Sequence, residues 1–210
     1  MTTQLERSIY LASRSPRRRE LLTQIGVRFQ VLSFRGKPED DAGLDETVLA
    51  GETPRIYVER IARAKAQAGW QRVVERNLPH AAVLAADTTV AVDERIFGKP
   101  ADRRAAATML AALSGRRHQV LSAIALRFEA QLECALSVSE VEFRVLSADD
   151  IKHYVATGEC DDKAGGYAIQ GRAAQFVVAL HGSYSGVMGL PLYETAQLLE
   201  RMGAQRERRK

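Results

Sequence analysis

The stretch Leu11-Ala-Ser-Arg-Ser-Pro-Arg-Arg-Arg-Glu-Leu-Leu22 decides how the fold begins. The apolar run at residues 8–12 that leads into it predicts a buried first strand. Ser15 followed by Pro16 is typical of a helix start, because serine can cap a helix and proline loses no hydrogen bond at the first position. Apolar residues at helical spacing then predict a helix that ends at Gly26.

Arg17, Arg18 and Arg19 crowd the first turn of this predicted helix. The partial positive charge of a helix N-terminus disfavours cations by about 0.3–1 kcal/mol each. Three arginines beside backbone N–H groups therefore predict a bound anion. The alternative is a solvated basic turn, and the stretch alone leaves both interpretations open.

Composition indicates one folded domain. The chain has 210 residues, of which 46% are hydrophobic and 27% are charged. No apolar run reaches the roughly 18 residues that a membrane span needs, so we expect no membrane association. Residues 1–7 lack the apolar core of a signal peptide. With only Cys134 and Cys160, far apart, we expect no disulfide framework and a reducing cytoplasm.

The charge balance is basic, with a formal net charge of +4 and a pI near 9.2. Part of the excess lies in the sequence Arg206-Glu-Arg-Arg-Lys210. We therefore divide the chain into one domain at residues 1–205 and a basic tail at residues 206–210, which fits a solvated end or a nucleic-acid arm. The rest shows no interleaved aromatic and basic residues, so we expect no stable nucleic-acid partner.

Strand and helix patterns alternate, with a long hairpin in the middle, and this predicts a mixed α/β domain. Strands are predicted at residues 29–34, 81–86, 90–97 (a hairpin), 118–128, 132–146 and 174–180. Helices are predicted at residues 53–69 (with 70–78 extending or following), 102–113, 147–158 and 191–202. Residues 35–51 and 182–186 are predicted loops, and residues 159–171 combine acids with glycines that allow close backbone approach to a ligand.

Several charged residues admit two interpretations. Asp87 follows the buried strand 81–86, where a carboxylate at a strand tip is either catalytic or a turn cap. Lys99, in a loop framed by Gly and Pro, fits a phosphate contact or an ordinary turn. Lys65, near the expected end of its helix, fits a surface lysine. Glu46 fits a solvated acid or a carboxylate that reaches a cation.

Short motifs follow one another in the order found in Maf-type nucleoside triphosphate pyrophosphatases, which the chain resembles over nearly its whole length. They are Ser13-Arg-Ser-Pro-Arg-Arg18, Ala86-Asp-Thr88, Gly98-Lys-Pro100, Ser114-Gly115 with His118, Asp162-Lys-Ala-Gly165, Ile169-Gln-Gly171 and Gly189-Leu-Pro191. The resemblance implies a cytoplasmic enzyme, often a homodimer, that hydrolyses a nucleoside triphosphate to the monophosphate and pyrophosphate with a divalent metal. It also implies an elongated mixed β-sheet flanked by helices around a central cleft.

The stretch Asp162-Lys-Ala-Gly-Gly-Tyr-Ala-Ile-Gln-Gly171 resembles the subgroup that acts on dTTP and UTP. By the same matching, Asp87 takes the place of the proton-accepting carboxylate, and Arg17, Thr88 and Gln170 fall where the family determines substrate choice. Two departures stand out: an alanine at position 168, where glycine is usual, and an apparent insertion at residues 35–42, just before the acid matched to a metal ligand.

These matches define a hypothesis for the site. A triphosphate carries about four negative charges, and the chain has no Walker P-loop to hold them. The phosphates would instead be bound by Ser13, Arg17, Arg18, Lys65, Lys99 and Lys163. Mg²⁺ or Mn²⁺ on Asp87 and Glu46 would lower the pKa of a water, and Asp87 would accept its proton. Gln170, with one donor and one acceptor, would match the edge of uracil or thymine.

Two other functions remain open from the sequence. The first is a pyrophosphatase for a different or modified nucleotide. The second is a regulator that binds nucleotides or nucleic acid without turnover and acts in cell division.

Overall fold

The computed structural model describes residues 8–32 and 44–207, and only the backbone of residues 205–207. The apparent insertion at residues 35–42, the end of the predicted strand 29–34 and the last three residues of the basic tail lie outside the described residues. In the part that is described, seven strands form one mixed sheet in the order β2-β1-β3-β5-β6-β7, with β4 paired to β3. The strands are β1 (Ile9–Leu11), β2 (Phe29–Val31), β3 (Val83–Val92), β4 (Arg95–Phe97), β5 (Arg117–Phe128), β6 (Gln131–Phe143) and β7 (Val177–His181).

Six α-helices flank this sheet within the same residues. They are α1 (Pro16–Gln24), α2 (Pro54–Glu75), α3 (Arg103–Leu113), α4 (Ala148–Ala156), α5 (Tyr184–Met188) and α6 (Leu192–Glu207). The predicted α/β class and mixed sheet flanked by helices are confirmed. No described helix is long and apolar enough to cross a lipid bilayer.

The edge of β3 that faces β1 has a gap in its centre. β1 pairs with the start of β3 and its last partner there is Leu84. β4 pairs with the end of β3, starting from Val90. On the opposite edge β5 runs alongside without interruption. Among the described strands none borders residues 85–89 on the β1 side, so the gap lies where the expected central cleft requires it.

Side-chain alternation along β3 divides the core between the two faces of the sheet. Val83 and Ala85 pack with α2 on one face. Leu84 and Ala86 pack with α1 and α6 on the other. A third cluster, built by α3, α4 and the far ends of β3 to β6, covers the end of the sheet beyond the gap. The gap therefore lies where three apolar clusters meet.

Helix α2 does not end at Gly69, as the sequence pattern predicted, but continues to Glu75. Gly69 lies against the sheet, where a Cβ atom would be 2.7 Å from Val83 Cγ1 and 3.1 Å from Ala12 Cβ. The glycine therefore allows the helix to approach the sheet closely and does not terminate it. As a result Lys65 occupies the middle of the helix and not its C-terminal end.

Three further boundaries differ from the predictions. Asp87 lies in the middle of the ten-residue strand β3 and not at a strand tip, because the pairing with β5 continues to Ala91. The predicted strand 174–180 begins only at Val177, after a 3₁₀ helix at Arg172–Phe176. The predicted loop 182–186 contains the start of α5, which Ser183 caps by accepting a hydrogen bond from the Gly186 N–H group.

Candidate active site

A buried ammonium group joins two carboxylates beside the gap in the sheet. The Lys65 Nζ atom lies 2.6 Å from Glu46 Oε1 and 2.9 Å from Asp87 Oδ1. The Lys65 side chain is 4% exposed, that of Asp87 10%, and that of Glu46 32%. The three groups come from the loop before α2, from α2 itself and from the central strand. They form a compact charged centre, in which Glu46 is the most exposed of the three side chains.

The electrostatics of this centre favour the charged forms of Glu46 and Lys65. Burial works to raise the pKa of Glu46, but the positive charges of Lys65, Lys99 and Arg18 hold it below its usual value. Burial likewise works to lower the pKa of Lys65, and the charges of Asp87 and Glu46 outweigh it, so that pKa is raised. Neutral groups could not supply these effects, because each shift depends on an opposite charge nearby.

Tyr57 borders the same centre and was not identified from the sequence. Its hydroxyl donates to the Glu46 carbonyl oxygen at 3.1 Å. Burial, together with the negative charges of Asp87 and Glu46, raises the pKa of Tyr57 to about 12. The phenol therefore stays protonated, and its hydrogen bond fixes the loop that carries Glu46.

A periodic signal could have located Lys65. The buried stripe of α2 includes Val58, Ile61, Ala62, Ala66 and Gly69, and Lys65 lies within it at i+4 from Ile61. The interpretation of Lys65 as a surface lysine is therefore wrong. A lysine inside an apolar stripe needs a buried partner, because an unpaired buried charge is costly.

The arginines after β1 form one side of the gap. Arg18 is buried; its Nε atom donates to the Gly189 carbonyl oxygen at 2.8 Å and its Nη1 atom to Ser13 Oγ at 3.2 Å. The Arg17 Nε atom donates to the Met188 carbonyl oxygen at 3.3 Å. A solvated turn is thus wrong for Arg18, which is fixed at the end of α5. Arg19 is exposed.

Pro16 begins α1 as predicted, and Ser15 occupies the N-cap position. The Ser15 side chain makes no capping hydrogen bond there. Its backbone N–H group donates to Ser13 Oγ at 3.2 Å, so the hydroxyl of Ser13 organises both the turn and Arg18.

Thr88 points to the opposite face of the sheet from Asp87, because consecutive residues of a strand alternate. Its hydroxyl lies 2.8 Å from Ser122 Oγ, which in turn donates to the Gly186 carbonyl oxygen at 2.6 Å. A Cβ atom on Gly189 would be 3.6 Å from Thr88 Oγ1 and 3.7 Å from Arg18 Nε. Thr88 therefore lies with the arginines and α5, behind the carboxylate centre.

The glycine-rich stretch 162–171 lies on the far side of the gap. Its Gly165 N–H group donates to the Gly98 carbonyl oxygen at 3.1 Å, next to the exposed Lys99. Lys163 Nζ contacts Asp162 Oδ1 at 2.9 Å, within its own loop. Gln170 is exposed. The structure thus brings Glu46, Lys65 and Asp87 into contact, whereas it gives no contact between Lys163 or Gln170 and this centre.

The oxygen ligands available here suit a hard cation with few protein ligands. Among the described residues no group of three or more His, Cys, Asp or Glu side chains could enclose a metal ion. Glu46 and Asp87 each engage Lys65 through one oxygen atom, which leaves a second carboxylate oxygen on each. Mg²⁺ commonly binds through one or two carboxylates and substrate phosphates, and this pair fits that pattern.

Comparisons with known proteins agree on one family. Residues 8–202 match the family model described as Maf-like protein. The chain is 57% identical over 200 residues to a dTTP/UTP pyrophosphatase of Aromatoleum aromaticum, covering 95% of this chain and 97% of that protein. It is 53% identical to the dTTP/UTP pyrophosphatase of Nitrosomonas europaea, covering 97% and 98%, and 54% identical to that of Dechloromonas aromatica, covering 93% and 97%.

Proposed function

The chain belongs to the Maf-like protein family, and from that membership we propose that it hydrolyses dTTP and UTP to the nucleoside monophosphate and pyrophosphate. The observation that carries the proposal is the bridge of Lys65 between Asp87 and Glu46 at the open centre of the sheet. A carboxylate that is positioned by a buried ammonium group beside a cleft is suited to accept a proton from an attacking water. Relatives that align with almost the whole chain are named for the same activity.

Asp87 acts as the general base. Its Oδ1 atom is engaged by Lys65, which leaves its second oxygen to orient and deprotonate water in line with the α-phosphorus. The bond formed joins the water oxygen to the α-phosphorus, the bond broken joins that phosphorus to the bridging oxygen, and pyrophosphate leaves. The contact of 2.9 Å with Lys65 fixes the position of the base, so the ammonium group is engaged by the two carboxylates when no phosphate is bound.

A divalent cation, Mg²⁺ or Mn²⁺, completes the proposal. Glu46 would hold it through its remaining oxygen, and Asp87 through a lone pair that neither Lys65 nor the attacking water uses, together with the phosphates, in keeping with the oxygen preference of these ions. When bound, it supplies charge neutralisation and a lower pKa for a coordinated water.

The phosphates meet cations from three directions. Arg17 and Arg18 are anchored through Nε to the carbonyls that end α5, and Ser13 joins them. Lys99 faces them from across the gap and already acts electrostatically on Glu46. Lys163 would contact the phosphates after its ion pair with Asp162 breaks, and breaking such a surface ion pair costs only about 0–1 kcal/mol.

We assign base selection to Gln170 on one side of the gap and to Arg17 and Thr88 on the other side, next to α5. The exposed amide of Gln170 presents one donor and one acceptor, which match the O4 and N3–H groups of thymine and uracil. Cytosine presents the reverse pattern, an amino donor at C4 and an acceptor at N3, so an amide held in the orientation that fits thymine would be mispaired with it. Thr88 contributes indirectly, since its partner Ser122 holds α5 and thereby the carbonyls that orient the arginines.

Product analysis tests the proposal directly. Purified protein incubated with Mg²⁺ and dTTP should release dTMP and pyrophosphate, whereas release of orthophosphate with dTDP would contradict the reaction class. Asp87→Asn should abolish turnover but keep measurable dTTP binding, because the amide cannot accept the proton. An Asp87→Asn variant with normal turnover would refute the assignment of the base. A panel of canonical and modified triphosphates compared by kcat/KM then tests the preference for dTTP and UTP.

A further inference from the structure

The backbone around Gln170 is held by the side chains of a buried tyrosine and a half-buried glutamate, which no motif identified. Tyr154, on α4, is buried, and its hydroxyl accepts a hydrogen bond from the Ala168 N–H group at 3.2 Å. The same hydroxyl donates to Glu159 Oε1 at 3.1 Å. Glu159 Oε2 accepts from the Arg172 N–H group at 3.1 Å. The pair therefore fixes the chain two residues before Gln170 and two residues after it.

Between these anchors the chain makes a tight turn. The Gly171 N–H group donates to the Ala168 carbonyl oxygen at 3.0 Å, which places Ile169 and Gln170 at the two central positions. Ile169 is buried in the core and Gln170 is exposed. The direction in which Gln170 presents its amide therefore depends on the two anchors.

The fit of Glu159 against this turn is close. A Cβ atom placed on Gly171 would overlap the Glu159 carboxylate group. The φ angle of Gly171 is −107°, a value that other residues adopt, so its backbone conformation does not require glycine. Glycine is needed at this position because the carboxylate occupies the space of a side chain.

Building on the proposed function, we propose that Tyr154 and Glu159 are positioning residues for base selection, which hold the Gln170 amide at the height and angle that pyrimidine recognition requires. Neither side chain touches the substrate. Burial raises the pKa of Tyr154, which keeps its hydroxyl protonated as a donor to Glu159. Selectivity between bases needs such support, because a small misplacement of a recognition group is costly.

The test compares kcat/KM for dTTP and for dCTP in single variants. Tyr154→Phe and Glu159→Ala should each reduce the dTTP-to-dCTP ratio about tenfold, through KM for dTTP and with kcat nearly unchanged. Glu159→Gln keeps an acceptor for the Arg172 N–H group and should hold the ratio within about twofold. Val155→Ala, which removes apolar contacts from the same helix without touching these hydrogen bonds, is the matched control for lost stability.

Gly171→Ala provides an independent perturbation of the same contact. It should lower the ratio as Glu159→Ala does, and the double variant should show no further loss, because both changes remove one interaction. If Tyr154→Phe and Glu159→Ala kept the wild-type ratio while folded, the inference would be overturned. It would equally be overturned if Val155→Ala lowered the ratio to the same extent, since the effect would then be general destabilisation.

Failure of the inference and failure of the proposed function give different results. If Gln170→Ala left the ratio unchanged while wild-type protein produced dTMP and pyrophosphate, the positioning inference would fail and the activity would stand. If wild-type protein did not turn over dTTP, the activity would fail. The inference would then be decided on binding of α,β-imido-dUTP against α,β-imido-dCTP, which should differ in wild type and converge in Tyr154→Phe.

Discussion

Replacement of Lys65 by methionine perturbs the charged centre most directly. Methionine has a similar length and no charge, so Asp87 and Glu46 lose their shared counter-ion while packing is largely kept. Glu46, with a third of its side chain exposed, can turn toward water, whereas Asp87 remains buried. Removing one partner of a buried ion pair costs about 3–5 kcal/mol. Because only one carboxylate stays trapped, we expect a loss of about 3 kcal/mol in the free energy of unfolding.

The pH dependence of this loss has a definite sign. In wild-type protein the pKa of Glu46 is below its usual value, so its stabilisation is complete above that value and is lost as pH falls through the folded pKa. The pKa of Lys65 is raised, so its stabilisation is complete below its usual value and is lost as pH rises through the folded pKa. In Lys65→Met, Glu46 loses the positive charge that opposes the effect of its burial and protonates more readily, so the difference from wild type should be smaller at pH 5 than at pH 7.5.

Urea unfolding at the two pH values measures both quantities. Lys152→Met, at an exposed position on α4, is the matched control and should change the free energy of unfolding by less than about 0.5 kcal/mol. Lys65→Met/Asp87→Asn should recover part of the lost stability, since no isolated buried charge remains. A Lys65→Met protein as stable as wild type at both pH values would refute the reasoning.

Three further predictions concern the surroundings of the centre. Ser122→Ala should lower stability by about 1 kcal/mol and raise KM for dTTP, as seen by thermal unfolding and steady-state kinetics; unchanged values would show that the hydroxyl does not hold α5. Gly165 and Gly26 have nearly the same φ angle, +69° and +70°, but a Cβ atom on Gly165 would lie 2.8 Å from Val90 Cγ2, whereas one on Gly26 would meet nothing within 4 Å. Gly165→Ala should therefore lower the free energy of unfolding in denaturant more than Gly26→Ala does. Equal losses would disprove the steric explanation. Burial lowers the pKa of His118 to about 4, so the unfolded chain takes up a proton before the folded protein does as pH falls. Between pH 6.5 and pH 4 the free energy of unfolding should therefore fall by up to about 3 kcal/mol more in wild-type protein than in His118→Phe. Parallel curves of unfolding free energy against pH would contradict this.

The order of elements could be predicted from local sequence because most elements carry local signals. Asp102 caps α3 through the Ala105 N–H group, and Ser147 forms a capping box with Asp150 at the start of α4. Such signals depend on residues within one turn of each other. The long antiparallel pair β5 and β6 was likewise evident from its pattern and confirmed by its register.

Contacts between residues distant in the chain explain why the predicted ends of α2 and of the strand before Asp87 were wrong. Gly69 resembled a helix stop, but its role is defined by Val83 and Ala12, which lie far away in the chain. Asp87 resembled a strand end, because polar residues follow an apolar run. Its strand continues since β5 supplies pairing partners as far as Ala91. Only the assembled sheet reveals these partners.

The candidate site likewise combines residues that the sequence indicated with contacts that only the folded structure shows. The residue types of Asp87, Lys99 and Gln170 pointed to the chemistry, and the family resemblance supplied their roles. The contact between Lys65 and two carboxylates could not be predicted from spacing, since Glu46 precedes α2 and Asp87 follows it. The support of Gln170 by Tyr154 and Glu159 was equally hidden, because the acid-rich stretch that contains Glu159 does not indicate which groups its carboxylate contacts.

The central claim is that water attacks the α-phosphorus at the centre formed by Asp87, Lys65 and Glu46. Hydrolysis of dTTP in ¹⁸O-labelled water, followed by mass spectrometry of both products, tests it most directly. Attack at the α-phosphorus puts one ¹⁸O atom into dTMP and none into pyrophosphate. Label found in pyrophosphate, with unlabelled dTMP, would mean attack at the β-phosphorus and would contradict the account.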